Sequence, residues 1–235
     1  MSLVFIISAP SGSGKSTLVN EIRISVPHLE FSVSYTTRKP RGSERNGREY
    51  YYIERAEFDE MIHRDAFLEH AEVFGNCYGT ARRFLAEAEA RGHDLLLDID
   101  VQGASQLQKK LPDAISIFIL PPTREELEKR LRRRSTVDLV PNEVIEKRLK
   151  AASREIENYG NYDYILVNAA LEDSIERLRA IILSERARVS GHNAQTPEER
   201  KITELADGCK LENMRATIQS TLATFRDPGS SAATY

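Results

Sequence analysis

The sequence predicts an α/β protein built around a parallel sheet, and three features of the chain carry that prediction. The run from Leu3 to Ser8 is apolar without alternation, which is typical of a central parallel strand covered on both faces. A Gly/Ser-rich loop follows, and from Ser16 the apolar residues take the spacing of a helix that must end before Pro27. Further apolar runs alternate with helical patterns, which favours parallel strands joined by helices. These runs are Leu95 to Ile99, Ile115 to Leu120 and Tyr164 to Val167.

The composition is that of a globular protein with its own core. Of the 235 residues, 40% are hydrophobic and 29% charged, which excludes a chain that is disordered throughout. The 33 basic and 36 acidic side chains give a net charge of −3, which excludes a polycation that coats nucleic acid. No run approaches the roughly 18 apolar residues of a bilayer span, and no basic leader precedes the first strand. We therefore expect a cytoplasmic protein that binds neither nucleic acid nor membranes.

Two regions interrupt the simple alternation of strands and helices. Between about Phe31 and Thr80 the chain consists of short polar stretches with β-forming residues and turn signals such as Asn46-Gly47, which predicts a small inserted lobe. From Glu125 to Arg134 the pattern predicts a very basic helix, and a second helix follows it. A long amphipathic helix is then predicted from Leu171 to Val189.

The segment after Ser190 is more polar than the rest of the chain. Apolar residues within it still recur at helical spacing, which predicts one more amphipathic helix. These residues are Leu211, Met214, Ile218, Leu222 and Phe225. The helix packs either on its own core or on a second subunit, so a monomer and a homo-oligomer both stay open. The last stretch, Asp227 to Tyr235, is rich in Gly, Ser and Ala and is predicted to be frayed.

The loop after the first strand has the features of a phosphate-binding loop. It reads APSGSGKS and fits the pattern G-x-x-x-x-G-K-[ST] at the last three fixed positions, with Ala9 in place of the first glycine. Gly12 and Gly14 allow backbone N–H groups to turn towards a phosphate, and the next helix directs its positive dipole end at it. Lys15 can neutralise the β and γ oxygens, and the Ser16 hydroxyl can ligate Mg²⁺. A chance Gly/Ser loop is the alternative, and the flanking strand and helix disfavour it.

Five segments beyond this loop form a set that is more specific than the loop alone. They are Ser34 to Arg41 (SYTTRKPR), Gly47 to Tyr52, Phe67 to Ala71 (FLEHA), Tyr78 to Thr80 and Asp98 to Gly103. With the loop, this set resembles the guanylate kinase family from about Leu3 to about Arg188. The resemblance implies a three-layer α/β/α core of the P-loop type with a parallel sheet, an inserted mixed α/β GMP-binding lobe and a helical lid. It also implies transfer of the γ-phosphoryl group of ATP to GMP with Mg²⁺, giving ADP and GDP, with dGMP as a further acceptor.

The same resemblance divides the chain into parts. The core is expected at residues 1–33, 81–123 and 150–188, the GMP-binding lobe at 34–80 and the lid at about 124–149. The family gives no expectation for residues 189–235, which we predict to be a partly helical C-terminal extension with a frayed end.

Recognition of guanine needs a group that accepts two hydrogen bonds. Guanine presents its N1–H and 2-amino donors along one edge, and a carboxylate can accept both. The resemblance assigns this role to Glu69, helped by Asp100, and places the hydroxyls of Ser34 and Thr80 near O6 and N7 of the base. Taken alone, Glu69 would be an ordinary exposed carboxylate on a strand. Because such a site leaves its own polar groups unpaired when the donors are missing, we expect AMP to be a very poor acceptor.

The α-phosphate of GMP needs a cationic clamp. Arg38 and Arg41 offer planar guanidinium groups that suit phosphate oxygens, and Tyr50 and Tyr78 can add phenolic donors. A solvated turn is the alternative for the two arginines.

Three consecutive tyrosines are separated by the alternation of strand side chains. Tyr50 and Tyr52 are predicted to share one face of their strand, whereas Tyr51 points away. We therefore assign a binding role to Tyr50 and interpret Tyr51 and Tyr52 as packing residues.

The basic helix supplies candidates for charge stabilisation of the transferring group. Arg130 and Arg134 lie four residues apart, so they share a helix face and repel each other unless an anion is present. A bound triphosphate supplies that anion, although a merely soluble helix surface is the alternative. The resemblance adds Arg148 on the following helix. The predicted catalytic set is Lys15, Arg38, Arg130, Arg134 and Arg148.

Metal and ATP contacts complete the predicted site. Ser16 is expected to ligate Mg²⁺ directly, and Asp98 is expected to hold it through a water, with orientation of Lys15 as the alternative role of Asp98. The residues expected to bind ATP are Ala9, Pro10, Ser11, Gly12, Ser13, Gly14, Lys15, Ser16, Thr17 and Asn168, the last near adenine. No general base is expected, because a phosphate monoester is already largely dianionic at pH 7.

Two other functions compete with this interpretation. A guanylate-kinase-like binding module would keep the fold without catalysis, but it would not need Lys15, Ser16 and the arginines of the lid. A related kinase could act on a different phosphorylated ribose acceptor, but Glu69 together with Ser34 and Thr80 argues for a guanine base.

Overall fold

The structure is a computed structural model and describes residues 2–138 and 141–226. Side chains of residues 134–138 lie outside that description. The chain forms two compact units. The first comprises the chain up to Ser8 together with Val19–Ile117, and the second comprises Ala9–Leu18 together with the chain from Phe118 onward.

The described residues form strands in the following order. They are β1 (Val4–Ser8), β2 (Leu29–Ser32), β3 (Tyr35–Thr36), β4 (Tyr51–Tyr52), β5 (Phe67–Val73), β6 (Asn76–Ala81), β7 (Asp94–Asp98), β8 (Ile115–Leu120) and β9 (Tyr164–Val167).

Helices lie between and after these strands. They are α1 (Lys15–Ser25), α2 (Arg55–His63), α3 (Arg82–Arg91), α4 (Val101–Lys110), α5 (Arg124–Asp138), α6 (Asn142–Ile156), α7 (Leu171–Ser190), α8 (Pro197–Asp207), α9 (Leu211–Met214) and α10 (Gln219–Ala223). A 3-10 turn, Glu157–Asn161, follows α6.

The larger sheet has five strands in the order β2-β7-β1-β8-β9. β7 pairs in parallel with both β1 and β2. Phe5, Ile6 and Ile7 of β1 are fully buried, as are Leu96 and Leu97 of β7. Burying each such side chain contributes about 1.5–3 kcal/mol, and coverage on both faces explains why these runs show no alternation. The α/β class with its parallel sheet is confirmed.

Strand β2 is the member of this sheet that the sequence did not predict. Its four residues, LEFS, mix polar and apolar side chains and lie at the edge of the sheet. Only Leu29 and Ser32 are buried in it, so the strand lacks the continuous apolar signal of its neighbours.

The predicted inserted lobe contains the second sheet, of four strands in the order β4-β3-β6-β5. β6 runs antiparallel to β3 and β5, and β3 runs parallel to β4. Helix α2 covers a small core in which Phe58 packs on Phe67 and Cys77. The hairpin of β5 and β6 places Glu69 opposite Thr80 and adds a bulge between Phe67 and Glu69.

The C-terminal segment is helical in the described range but does not form the single helix that its apolar spacing predicts. α8 begins at a capping box in which Thr196 and Glu199 bond each other's backbone N–H groups. After α8 the chain pairs with β9, because the Ile165 N–H donates to the Cys209 carbonyl over 2.7 Å. α9 and α10 then replace the predicted helix, and Phe225 is buried after them. Residues 227–235, predicted to be frayed, lie outside the described residues.

Cys77 and Cys209 are both buried free thiols. Within the described residues, no helix is long and apolar enough to cross a membrane.

Candidate functional site

The phosphate loop adopts a backbone that favours glycine at two positions. Gly12 has a φ of +94° and Gly14 a φ of +89°, in the left-handed region. A Cβ on Gly14 would overlap the side-chain nitrogen of Asn168, and a Cβ on Gly12 would lie 2.8 Å from Leu131 Cδ2. Both positions therefore exclude side chains on conformational and on steric grounds.

Arg130 and Asn168 brace the loop. Asn168, buried at the end of β9, donates from Nδ2 to the Ser13 carbonyl over 2.7 Å. Arg130 on α5 donates from Nη1 to the same carbonyl over 3.3 Å and from Nη2 to the Asn168 carbonyl over 3.1 Å. Its Nε donates to Glu126 over 3.0 Å. The sequence interpretation missed Glu126, although a carboxylate four residues before an arginine on one helix is the signal that would have found it.

Helix α1 begins directly after Gly14 of the loop. Lys15 is half-buried, whereas Ser16 and Thr17 are exposed. The Ser13 hydroxyl is buried and has no hydrogen-bond partner among residues 2–138 and 141–226. The loop thus contains a buried polar atom that the described protein does not satisfy, next to exposed hydroxyls at the start of a helix.

Of the other two arginines predicted at the transferring group, the structure describes the side chain of only one. Arg148 lies on α6 with a half-buried side chain. Arg134 belongs to the helical span of α5, but its side chain lies outside the described residues.

Gly14→Ala is expected to weaken ATP binding as well as the fold. The left-handed φ costs an alanine about 1–2 kcal/mol, and its methyl group would also displace Asn168 from the loop. We expect the affinity for ATP, measured by calorimetric titration, to fall at least about tenfold. The control is Gly191→Ala, because Gly191 has a φ of +70° but nothing within 4 Å of a Cβ. Equal losses of stability in the two variants, with unchanged ATP affinity, would contradict this reading of the loop.

Glu69 and its neighbours form a buried polar group in the first unit. The side chain lies on β5 and is only 3% exposed. Thr80 Oγ1 donates to Glu69 Oε1 over 2.6 Å. On the other side, a Cβ at Gly103 would overlap Glu69 Oε2, so only glycine leaves room for the carboxylate. Asp100 caps α4 by accepting the Gly103 N–H over 2.7 Å, which fixes that glycine next to Glu69.

Burial changes the protonation of this carboxylate. Removal from water is the main cause that raises the pKa of Glu69 to about 7; the charge of Asp100 acts in the same direction, and the bond from Thr80 opposes the shift. Glu69 is therefore poised between its neutral and ionised forms near neutral pH. Such a strongly shifted buried carboxylate is typical of a functional site.

Arg38 is held by a carboxylate that sequence interpretation missed. Arg38 Nη2 lies 2.9 Å from Glu44 Oε2, and both side chains are largely buried. The Arg41 backbone N–H and the Tyr52 hydroxyl each donate to Glu44 over 2.8 Å. Burial alone would raise the pKa of Glu44, but these bonds and the Arg38 charge hold it below its usual range. From the sequence alone, Glu44 cannot be distinguished from a solvated residue in a turn.

The tyrosines gather around the Arg38 guanidinium. Its carbon lies 5.3 Å from the centre of the Tyr50 ring and 5.8 Å from that of Tyr52. Tyr50 and Tyr78 meet edge to face at 5.8 Å. Burial raises the pKa of Tyr50, and the charge of Asp98 adds to this, so Tyr50 keeps its proton as a donor.

Strand alternation is confirmed for the three consecutive tyrosines. Tyr50 and Tyr52 contact each other, whereas Tyr51 stacks on Tyr35 at 4.8 Å. Packing alone is an incomplete description of Tyr52, because its hydroxyl also bonds Glu44.

The remaining predicted residues are Ser34, Asp98 and Arg41. Ser34 is buried just after β2, and its carbonyl accepts the Tyr51 N–H over 2.9 Å. Asp98 ends β7 and is half-buried, and Arg41 is exposed. The first unit thus contains the predicted guanine and phosphate contacts, and the second contains the loop, Arg130 and Asn168.

Comparison with known proteins gives a consistent result. The family model described as guanylate kinase matches residues 1–185. A curated guanylate kinase of Koribacter versatilis (strain Ellin345) is 62% identical over 224 residues, which cover 95% of this chain and 96% of the relative. A guanylate kinase of Escherichia coli O157:H7 is 49% identical and covers 80% of this chain and 90% of its own. The crystal structure of guanylate kinase from Anaplasma phagocytophilum matches with a TM-score of 0.65 and 34% identity, over 78% of this chain and 86% of that chain.

Proposed function

This chain belongs to the guanylate kinase family and transfers a phosphoryl group from ATP to GMP, and we propose from that premise how its residues divide the work. The buried Glu69 carboxylate carries the proposal, because a buried acceptor with a strongly raised pKa is typical of a functional site. In its ionised form it accepts the N1–H and 2-amino donors of guanine, and Asp100 supports the same edge. Ser34 supplies a hydroxyl on the O6 and N7 side, and Thr80, whose hydroxyl donates to Glu69 Oε1, holds the carboxylate that accepts from the base.

Arg38 and Arg41 bind the phosphate of the acceptor, with Tyr50 and Tyr78 as phenolic donors. Glu44 keeps the Arg38 fork in place, and its position between Arg38 and Tyr52 supports that role. A guanidinium suits this task because its planar donors match phosphate oxygens. The acceptor phosphate attacks as a dianion, so no residue has to remove a proton from it.

The phosphate loop binds ATP through residues 9–17, and Lys15 neutralises its β and γ oxygens.

Arg130, Arg134 and Arg148 stabilise the charge of the transferring group, and residues 124–149 act as the lid that carries them. Asn168 holds the loop through Ser13, a contact that supports a role at the ATP site. Positioning and charge neutralisation supply most of the catalysis in reactions of this class.

Mg²⁺ is the proposed cofactor. The residues present fit a magnesium-nucleotide, because the loop excludes side chains at Gly12 and Gly14 and leaves the Ser13 hydroxyl unsatisfied. Ser16 and Asp98 offer the hard oxygen donors that Mg²⁺ prefers, Ser16 directly and Asp98 through a water. When bound, the ion neutralises phosphate charge.

The acceptor range and the cellular setting complete the proposal. dGMP is a further acceptor, since the proposed guanine contacts do not involve the ribose. The protein works in the cytoplasm on free nucleotides. Its core occupies residues 1–33, 81–123 and 150–188, with the GMP-binding lobe at residues 34–80.

An ADP-release assay with ATP and a panel of acceptors tests this proposal. With Mg²⁺ we expect turnover of GMP and dGMP, little or none of AMP, UMP and CMP, and loss of all activity with excess chelator. Turnover of AMP at the rate of GMP would contradict the role of Glu69. Full activity in the chelator would contradict the role of Mg²⁺.

A further inference from the structure

We propose that Gln106 and Lys110 of α4 are positioning residues for Glu69 and thereby contribute to the choice of guanine. The proposal rests on the guanine-binding role of Glu69 stated above. Neither residue belongs to the set predicted from the sequence, and both lie in the first unit with Glu69.

The open edge of the smaller sheet is the starting point. β5 is an edge strand, so one row of its backbone groups has no strand to pair with. Gln106 takes the place of such a strand at His70. Its Nε2 donates to the His70 carbonyl over 2.7 Å, and its Oε1 accepts the His70 N–H over a longer 3.4 Å. A side-chain amide can do this because it carries the same donor and acceptor as a peptide group.

Lys110 acts on the other neighbour of Glu69. Its ammonium group donates to the Leu68 carbonyl over 2.6 Å. The Leu68 carbonyl belongs to the peptide before Glu69, and the His70 N–H belongs to the peptide after it. The two side chains therefore hold both peptide groups that determine the backbone angles of Glu69.

Gln106 and Lys110 lie on the same face of α4 as the two residues already described next to Glu69. Asp100, Gly103, Gln106 and Lys110 follow at spacings of three, three and four residues, so they lie along one side of the helix. Asp100 fixes the first turn, Gly103 leaves space for the carboxylate, and the last two hold the strand. The positive charge of Lys110 also lowers the pKa of Glu69, against the larger effect of burial.

The arrangement matters because recognition by hydrogen bonds is sensitive to small displacements. A carboxylate that accepts two parallel donors must lie in the plane of the base, and a displacement of about 1 Å can cost on the order of 10²-fold in rate. Freedom of the Glu69 backbone would weaken the contact with the 2-amino group. ATP binding would not change, because these residues touch no part of the phosphate loop in the described contacts.

The test compares Gln106→Leu and Lys110→Met with Lys110→Arg, which keeps a donor, and with Lys109→Met, an exposed neighbour on α4. GMP and IMP are the acceptor probes, since IMP lacks the 2-amino group. We expect Gln106→Leu and Lys110→Met to raise the KM for GMP about five- to twentyfold and to reduce the preference for GMP over IMP. The KM for ATP should stay unchanged, Lys110→Arg should recover most of the preference, and Lys109→Met should behave like the parent protein.

Three results would overturn the proposal: unchanged GMP kinetics in both variants, an equal rise of the KM for GMP and for ATP, or the same loss in Lys110→Arg as in Lys110→Met. If Gln106→Leu does not fold, the two Lys110 variants decide. Glu69→Gln separates this inference from the proposed function. If Glu69→Gln keeps the guanine preference, the proposed function fails. If Glu69→Gln loses that preference but Gln106→Leu and Lys110→Met keep it, only the positioning role fails.

Discussion

Lys15→Met is expected to retain the fold and lose turnover by at least about 10²-fold, the scale seen when one preorganised charge contact to a transition state is removed. Methionine keeps the length and the apolar stem of the side chain but removes the ammonium group that the proposal places against the β and γ oxygens. Lys15 is the first residue of α1 and half-buried, so the substitution exposes no new core surface. The effect should appear in kcat, because charge grows on these oxygens as the phosphoryl group transfers.

The measurement is steady-state kinetics of ADP release, with circular dichroism and a thermal melt to verify the fold. Lys109→Met is the matched control, since it removes an exposed lysine from α4. Near-parent kcat in Lys15→Met would remove the phosphate loop from the mechanism. A collapse of the thermal transition would show instead that the lysine supports the fold.

Glu69→Gln is expected to separate recognition from stability. An amide presents an acceptor and a donor, so one of its atoms would face a guanine N–H donor with a donor of its own. Hydrogen bonds to charged groups contribute about 1.5–3 kcal/mol each and neutral ones less, so loss of one bond and of the charge on the other should reduce kcat/KM for GMP by about 10²- to 10³-fold. The KM for ATP should change little. Unchanged discrimination between GMP and AMP would contradict the assignment.

The same variant should be more stable than the parent protein at alkaline pH. Because the pKa of Glu69 is about 7 in the fold and near 4.5 in the unfolded chain, the folded state binds more protons between these values. Ionisation of Glu69 therefore lowers the stability of the parent as the pH rises from 4.5 to 7, and the full penalty, on the order of 3 kcal/mol, is present above pH 7. Urea unfolding should show Glu69→Gln as the more stable protein at pH 8, with the difference shrinking towards pH 5. A difference that does not depend on pH would contradict the shifted pKa.

The fold could be predicted where burial imposes a simple pattern. β1, β8 and β9 are continuous apolar runs because both faces are covered, and the prediction places them within a residue of their observed ends. β2 and α8 were not predicted, because they contain few apolar residues. For α8 another signal was present, since Thr196, Pro197 and Glu199 form the capping box with proline at the first turn. Local turn chemistry thus marks helices that apolar periodicity does not.

The residues of the candidate site also differ in whether the sequence alone could predict them. Residues whose chemistry is required by the substrate, such as Lys15 and Glu69, stand out within motifs. Their supporting partners do not, because Glu44, Glu126 and Gln106 are ordinary polar residues whose roles depend on neighbours brought by the fold. Gly103 is intermediate, since its place in a motif is visible but the overlap with Glu69 that requires glycine appears only in three dimensions.

The pH dependence of kcat/KM for GMP tests the central role of an ionised Glu69 most directly, because this parameter reports the ionisations of the free enzyme and the free substrate. With a carboxyl pKa of about 7, kcat/KM should fall to about half of its plateau value near pH 7 and continue to fall below it, before the phosphate of GMP with its pKa near 6 takes up a proton. The fall near pH 7 should be absent in Glu69→Gln. A profile that stays flat down to pH 6 in the parent protein, or the same step near pH 7 in both proteins, would contradict the account.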